Sequence, residues 1–283
     1  MSHVFIAGCG YVGIRLARRL HAGGHQVSGL RRSTPPPEPG NPIHWITGDI
    51  ARPDSFRLPG DVDVFVLAAG LKRDTGDQYD RLFGHGYTGL VTSIKASRKS
   101  PRIIMVSTTG VFSELNGGWV DEKSPVHPDA SISGKFYLRA EATVRNAGLP
   151  YVIARLSGIY GPERIRLIRE VSEGRAVLYP PPPHYLNHLH AEDAAGALAH
   201  LIQLDQPASD YIVSDSEPAD RNDVLCWLAA RCGMPTPSLA GEGTIRPARR
   251  SGNKRCANRR LIESGYQFMY PTFREGYESL LRT

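Results

Sequence analysis

The glycines at positions 8, 10 and 13, within FIAGCGYVG, have the spacing G-x-G-x-x-G. They follow a short apolar run, HVFIAG, and precede an amphipathic segment, so they stand between a predicted strand and a predicted helix. In such a turn the first glycine allows the tight bend, the second lets the backbone approach a diphosphate, and the third lets helix and strand pack closely. The helix N-terminus also attracts negative charge. The pattern predicts a dinucleotide site, with a turn that holds no ligand as the alternative. The residues assigned to this site are Gly8, Gly10, Tyr11, Val12 and Gly13.

Two arginines, Arg31 and Arg32, follow the second predicted strand, HQVSGL. At this position an NAD site would place Asp or Glu against the adenosine ribose hydroxyls. A carboxylate repels a 2′-phosphate, whereas a guanidinium binds one through two hydrogen bonds. The sequence therefore favours NADP(H) over NAD(H) as the cofactor. The alternative is that both arginines simply face water.

Strand and helix patterns alternate along the first half of the chain. Strands are predicted at HVFIAG, HQVSGL, IHWIT, DVDVFVLAA, RIIMVST and YVIARLS, with helices after the glycine turn and at roughly 77–98 and 133–147. Beyond residue 160 helices are predicted over 163–175, 191–203 and 221–233, and a strand over 210–215.

This order predicts an α/β fold, a Rossmann-type doubly wound parallel sheet with a smaller mixed C-terminal substrate lobe. The predicted domains are an NAD(P)-binding Rossmann domain over 1–156 and a mainly substrate-binding lobe over 157–283. A segment near 188–215 is expected to return to the Rossmann core.

The bulk composition narrows the class of protein. The chain has 283 residues, 41% hydrophobic and 22% charged, and no apolar run nears the roughly 18 to 20 residues of a membrane-spanning helix. The N-terminal MSHVFIAG shows no secretion signal. Four cysteines without a C-x-x-C pair or a metal spacing are typical of reduced cytosolic thiols. A cytoplasmic protein that holds no metal and contacts no membrane is expected.

The formal net charge is +6, and the densest basic cluster is RPARRSGNKR, continuing to Arg259 and Arg260. A surface that binds single-stranded nucleic acid usually has aromatic residues among its basic ones, and this cluster has none. Arginine also suits anionic cofactors and phosphorylated substrates. A nucleic-acid partner is therefore not expected, and the cluster is interpreted either as a solvated surface or as a phosphate-binding one.

Short motifs follow nearly every predicted strand: GDI, LAAG, VSTTGVF, RLSGIYGP and, further on, LNHLHAEDAA. Together with GCGYVG they span nearly the whole chain and resemble the extended or atypical short-chain dehydrogenases/reductases, the NAD-dependent epimerase/dehydratase family. The resemblance implies the predicted fold and a nicotinamide cofactor. It also implies that Asp49 and Ile50 flank the adenine and that Ala68 and Ala69 line the channel between adenosine and nicotinamide.

Catalysis in that family uses a serine or threonine followed by Tyr-x-x-x-Lys, in which the lysine lowers the tyrosine pKa. By resemblance, Thr108 matches the serine or threonine, Ser133 occupies the tyrosine position and Tyr137 the lysine position. No tyrosine of this chain is followed four residues later by lysine. Tyr137 instead has Glu141 at that spacing, and a carboxylate there is expected to raise the pKa of a phenol. Three roles stay open for Tyr137: proton donor, ribose ligand in place of the lysine, or packing.

Other polar residues fall on segments that line or cover the substrate cleft in relatives: Asp121, Glu122, Tyr160, His188 and His190. The histidines are interpreted mainly as cleft walls or caps, and the two acidic residues mainly as an exposed polar turn. Asp193 is expected to cap or begin its helix. Many nucleotide-sugar enzymes of the family place an asparagine where this chain has Gly158.

Two functions are consistent with these residues. The first is an oxidoreductase or epimerase acting on a small sugar-like molecule, for which phosphorylated and nucleotide-linked forms are considered. The second is a protein that binds NADP(H) without hydride transfer and senses or sequesters it. The absence of the Tyr-x-x-x-Lys dyad is the observation that suggests this second function. The sequence leaves open the substrate, the direction of reaction and the oligomeric state, with a homodimer as one option.

Overall fold

The strands of the protein fall into one large sheet and several short ribbons. The computed structural model describes residues 1–33, 43–71, 76–97, 99–131, 133–241 and 252–282. In chain order the strands are β1 (His3–Ala7), β2 (Gln26–Arg31), β3 (Ile43–Thr47), β4 (Val64–Leu67), β5 (Arg102–Thr108), β6 (Trp119–Val120), β7 (Tyr151–Leu156), β8 (Gly158–Tyr160), β9 (Tyr185–Leu186), β10 (His188–His190), β11 (Asp210–Val213), β12 (Ala219–Asp220) and β13 (Arg255–Cys256).

The helices alternate with these strands. They are α1 (Tyr11–Ala22), α2 (Gly76–Tyr79), α3 (Tyr87–Lys95), α4 (Gly134–Arg145), α5 (Arg166–Ser172), α6 (Ala191–Gln203), α7 (Arg221–Arg231), α8 (Arg259–Glu263) and α9 (Phe273–Leu281). A π-helical segment, Asp80–Gly86, joins α2 to α3. Among the described residues, every helix is too short or too polar to cross a membrane.

Seven parallel strands form the central sheet in the order β11-β7-β5-β4-β1-β2-β3. The chain runs outward from β1 to β3 and then returns to place β4 on the other side of β1. The order reverses between β1 and β4, and in open α/β sheets ligands bind at the carboxyl ends of the strands at this point. The predicted doubly wound parallel sheet is confirmed.

Both faces of the sheet are covered by helices. On one face, α1 and α6 bury apolar residues such as Leu16 and Leu198 against the strands. On the other face, α3 and α4 do the same with residues such as Leu90 and Val144. Because both faces are buried, the strands are nearly continuous apolar runs rather than alternating ones.

The rest of the chain forms a smaller cluster above the carboxyl ends of the strands. Helices α5, α7 and α9 share one apolar core with Tyr160. Short ribbons pair β8 with β10, β9 with β12 and β6 with β13. In the second half of the chain, β11 pairs with β7 and α6 packs on α1. The segment that contains α6 and β11 therefore belongs to the layered structure around the central sheet. The assignment of the remaining cluster as a substrate-binding lobe stays a prediction.

Several elements differ from the sequence patterns. The helix predicted at 77–98 is interrupted by the π-helical segment, and α8, α9 and the short strands β6, β9, β12 and β13 were not predicted. The helix predicted over 163–175 is shortened to Arg166–Ser172, because a turn at Gly161–Arg164 precedes it. The strands β8 and β10 were not predicted, since three residues are too few to show a period.

Candidate functional site

The glycine turn forms the floor of the crevice between β1 and β4. Gly8 has a φ of +87°, a conformation that residues with a side chain rarely adopt. A Cβ there would lie 2.5 Å from the backbone nitrogen of Ala69, so the turn and the end of β4 touch. The N–H groups of Gly8 and Cys9 donate to the carbonyl of Leu30, at 3.1 and 2.9 Å. The turn is thus held between the ends of three neighbouring strands.

Helix α1 begins directly after this turn. Gly10 is its N-cap, no side chain caps it, and its first turn contains no acidic residue. The backbone N–H groups at this end are therefore available to an anion. A Cβ at Gly13 would lie 3.2 Å from the Gly8 carbonyl and 3.2 Å from Ile6 Cγ2, so glycine at this position relieves a tight contact between the helix and β1.

The adenosine end of the predicted site lies at the end of β2. The guanidinium carbon of Arg31 lies 5.7 Å from the centroid of the Trp45 ring, and Arg32 is exposed. Among the described residues, neither arginine pairs with a carboxylate. Both charges are therefore free to meet an anion. Whether they bind a 2′-phosphate stays a prediction.

The four other predicted cofactor ligands lie in the chain segments that follow β3 and β4. Asp49 Oδ1 accepts a hydrogen bond from the Ala51 N–H at 3.0 Å, which shapes the loop after β3. Ile50 is buried beside the π-helical segment. Ala68 and Ala69 directly follow β4 and are only partly buried, and Ala69 faces Gly8. Their assignment to adenine and to the channel stays a prediction.

The two predicted hydroxyl groups lie at the last residue of β5 and just before α4. Thr108 Oγ1 accepts the Gly110 N–H at 3.0 Å and so caps a short 3₁₀ turn, Thr109–Val111. Ser133 precedes α4 without capping it through its side chain. No described histidine forms a hydrogen bond with either hydroxyl, so neither has a base beside it.

Tyr137 lies with its ring among aromatic residues and its hydroxyl toward the crevice. The ring centroid is 4.5 Å from that of Phe83, and the hydroxyl oxygen lies 3.7 Å from where a Cβ of Gly70 would be. Gly70 directly follows Ala68 and Ala69, so the hydroxyl borders the predicted cofactor channel. Burial raises the pKa of the Tyr137 phenol to about 12, and the neighbouring Tyr79 acts in the same direction.

The raised phenol pKa was expected, but its expected cause is wrong. Glu141 turns away from Tyr137 and accepts hydrogen bonds from Ser107 Oγ at 2.6 Å and from Arg155 Nη2 at 2.7 Å. Arg145 contacts the same carboxylate and also binds Asp210. Glu141 therefore belongs to a buried ion network that joins α4 to β5, β7 and β11. Lys135, the nearest lysine in sequence, is exposed and lies over the Phe136 ring.

The acidic pair after β6 is split between two roles. Asp121 is exposed and accepts hydrogen bonds from the Lys123 N–H and Ser124 Oγ, an ordinary polar turn. Glu122 is buried, accepts the Ile212 N–H at 2.9 Å and pairs with Arg260 at 3.6 Å. The exposed-turn interpretation fits Asp121 but not Glu122, which fastens this loop to β11.

The region around β8 and β10 is more buried than the sequence indicates. Tyr160 packs edge-on to His188 and His190 at 5.7 and 5.3 Å, and burial raises the pKa of its phenol. A Cβ at Gly158 would lie 2.9 Å from the Asn187 carbonyl, so the β8–β10 pairing excludes a larger residue there.

The cap of α6 is His190 rather than Asp193. His190 Nδ1 accepts the Glu192 N–H at 3.3 Å. Asp193 lies in the first turn of the helix, where it accepts hydrogen bonds from the Tyr266 hydroxyl and the N–H groups of Met269 and Tyr270. The aspartate thus fastens the chain before α9 and does not cap α6.

The arginines of the basic cluster have different surroundings. Residues 246–251 lie outside the described residues. Arg255 stacks on Trp119 and Tyr185, at 5.0 and 4.9 Å. Arg260 binds the Asp210 carbonyl and Glu122, while Arg259 pairs with Glu263 on the surface. Arg260 therefore has a structural role.

Acid is expected to destabilise the protein through His190. Burial lowers the pKa of this imidazole from 6.5 to about 4, so the unfolded chain takes up the proton first as the pH falls. Folding stability is then lost between about pH 6.5 and pH 4. His190→Asn keeps a capping oxygen and does not titrate. Urea unfolding at pH 7 and pH 4.5 should show the wild type losing about 2 kcal/mol more than this variant.

Other buried acids do not disturb this comparison. The raised carboxyl pKa values of Asp193 and Asp215 act in the opposite direction, but they are common to both proteins. Equal pH dependence of the two proteins would contradict a neutral, buried His190.

The comparisons with known proteins agree with this geometry. The sequence profile of the NAD dependent epimerase/dehydratase family matches residues 4–213, from β1 through β11. The chain belongs to this family. A crystal structure assigned as an NAD-dependent epimerase/dehydratase from Methylobacillus flagellatus is 34% identical, with a TM-score of 0.79 over 99% of this chain and 98% of that one.

One curated relative and one further solved structure each cover nearly all of this epimerase/dehydratase family member. Protein YeeZ of Escherichia coli strain K12 is 29% identical over 96% of this chain and 97% of its own. The human epimerase family protein SDR39U1, isoform 2, crystallised with NADPH, has a TM-score of 0.81 over 99% of both chains at 18% identity. The second likeness is one of fold.

Proposed function

We propose that this protein binds NADP(H) in the crevice between β1 and β4 and acts as a reductase or epimerase on a sugar-like small molecule. The observation that carries the proposal is the glycine turn. Gly8 has a positive φ, Gly13 lets α1 approach β1, and the N-terminus of α1 has no side-chain cap. A diphosphate would lie on the N–H groups at the start of α1, with Arg31 and Arg32 reaching the adenosine ribose.

A nicotinamide cofactor would supply hydride chemistry when bound. The chain's own part is to position it and to move a proton. The Tyr137 phenol, with a pKa near 12, stays protonated at neutral pH, so it can donate a hydrogen bond. It borders the channel at Gly70, which favours the role of a ribose ligand in place of the missing lysine. The hydroxyls of Thr108 and Ser133 are the remaining candidates to contact substrate.

The observation that favours the second function is the state of Tyr137. The family's lysine lowers the pKa of its tyrosine, whereas burial raises that of Tyr137. A protein that senses or sequesters NADP(H) needs no activated phenol. Sensing requires that a partner bind the NADP⁺ and NADPH forms with different affinity, and equal affinities exclude it.

Two assays on the purified protein test the proposal. Calorimetry with NADPH and NADP⁺ measures binding, and the loss of NADPH absorbance over a panel of carbonyl compounds, sugars and nucleotide sugars measures turnover. Turnover of any member supports the enzyme. Binding without turnover across the panel favours the second function, and the absence of binding refutes both.

Tyr137→Phe is expected to weaken NADPH binding. The variant removes one hydroxyl and almost no packing, and a neutral hydrogen bond is worth about 0.5 to 1.5 kcal/mol, or roughly a 2- to 13-fold rise in Kd. Tyr151→Phe, at the far end of β7, is the matched control. If Tyr137 is instead the proton donor, binding stays constant and turnover falls by roughly 100-fold or more. A variant unchanged in both would leave Tyr137 with packing alone.

A further inference from the structure

The turn Gly161–Arg164, between β8 and α5, lies directly against the glycine turn. The Tyr11 hydroxyl donates a hydrogen bond to the Pro162 carbonyl at 2.5 Å. The guanidinium carbon of Arg164 lies 4.1 Å from the centroid of the Tyr11 ring. Because Tyr11 is the first residue of α1, this stacking holds the Arg164 charge beside the N-terminal turn of the helix.

Within the described part of the chain, Arg164 is the arginine without an ion pair in this contact, although the adjacent Glu163 carboxylate also acts on the Tyr11 phenol and, in addition to burial, helps to raise its pKa. The guanidinium of Arg15 also lies 4.1 Å from the Tyr11 ring, but it pairs with Glu192 at 2.9 Å. Among the described residues, no carboxylate lies within ion-pair distance of Arg164, which is exposed. The charge therefore adds to the positive end of the helix dipole.

His190, at the start of α6, packs against the same turn. His190 is 3% exposed, and its Nε2 has no hydrogen-bond partner among the described residues. Since Nδ1 accepts the Glu192 N–H, the proton of the neutral ring lies on Nε2. A Cβ at Gly161 would lie 3.5 Å from this Nε2 and 2.9 Å from the Tyr11 hydroxyl oxygen. The N–H therefore lies against Gly161 and Tyr11, in a contact too tight to admit even a methyl group.

The backbone of the turn is itself unusual. Glu163 has a φ of +68°, the one positive value recorded for a non-glycine residue in the described part of the chain. Gly161 has a φ of +146°, and the Arg164 N–H closes the turn on the Gly161 carbonyl at 2.9 Å. Such conformations persist where surrounding contacts impose them. Here they direct Arg164 back toward α1.

We propose that the Gly161–Arg164 turn is the second wall of the diphosphate site: Arg164, held against the Tyr11 ring at the start of α1, binds a phosphate oxygen. This rests on the proposed function. The ligand class is a dinucleotide diphosphate, whatever its 2′-substituent or redox state. Tyr11 ties the wall to the glycine turn through Pro162.

Calorimetry on Arg164→Ala tests this proposal with four ligands. NADPH, NADH and ADP-ribose contain the diphosphate, whereas 2′-AMP contains only adenosine and the 2′-phosphate. Loss of a charged hydrogen bond should weaken the first three by about tenfold or more and leave 2′-AMP unchanged. Arg169→Ala, an exposed arginine on α5, is the control and should leave all four unchanged. Thermal unfolding checks that each variant is folded.

The outcomes separate this proposal from the proposed function. If the wild type binds none of the diphosphate ligands, the proposed function fails. If it binds them and Arg164→Ala binds them equally well, the wall is refuted while the function stands. Equal losses for 2′-AMP would also refute it, since Arg164 would then act at the adenosine. Tyr11→Phe removes the hydrogen bond to the Pro162 carbonyl and should weaken the binding of the three diphosphate ligands by about threefold. Unchanged binding would show that this hydrogen bond does not hold the turn in place.

Discussion

Gly13→Val is expected to abolish NADP(H) binding in a protein that still folds. Even a single Cβ at this position would lie 3.2 Å from the Gly8 carbonyl and 3.2 Å from Ile6 Cγ2. Two further methyl groups would push the start of α1 away from β1 and from the diphosphate site. The overpacking itself should cost about 1 to 3 kcal/mol of folding stability. Calorimetry with NADPH should show no binding heat.

Two controls make this result specific. Gly13→Ala adds one methyl and should weaken binding without abolishing it. Gly60→Ala places a methyl where no atom lies within 4 Å, and it should bind as the wild type does. A folded Gly13→Val protein with wild-type affinity would mean that the dinucleotide site lies elsewhere.

Arg31→Asp is expected to reverse the cofactor preference. In the wild type, a charged hydrogen bond to the 2′-phosphate, worth about 1.5 to 3 kcal/mol, should make NADPH bind roughly 10- to 150-fold more tightly than NADH. The aspartate would repel the 2′-phosphate and accept hydrogen bonds from the ribose hydroxyls of NADH. Kd values for both cofactors, measured for both proteins, check this.

The salt dependence and a double variant test the same assignment. Added salt screens exposed charges, so the gap between NADPH and NADH should narrow as the salt concentration rises. A double variant with alanine at positions 31 and 32 should lose the gap. If it still prefers NADPH as strongly as the wild type, the arginines do not read the 2′-phosphate.

The main chain around the glycine turn could be predicted from the sequence because its signals are local. Gly8, Gly10 and Gly13 sit between an apolar run and an amphipathic helix, and each constraint acts within a few residues. Repetition of apolar runs and helices at short spacing then requires a parallel sheet covered on both faces. The crevice position follows from that order of strands.

The side-chain partners of the site were decided by the tertiary structure. Glu141 stands one turn from Tyr137 in sequence, yet it binds Arg155, which lies within a buried strand. An arginine inside the apolar run YVIARLS demands a buried carboxylate, and that was the signal available. Which carboxylate pairs with Arg155 depends on how α4 is rotated over β5 and β7, and tertiary packing sets that rotation.

The contact between Tyr11 and the Gly161–Arg164 turn has the same origin. The Tyr11–Pro162 hydrogen bond joins residues 151 positions apart in the sequence, and neither segment contains a pattern that predicts contact with the other. They meet because β1 and β7 lie in one sheet, and the chain leaving β7 passes over the start of α1. Local spacing determined where an anion could bind, and only the assembled sheet decided which distant side chains surround it.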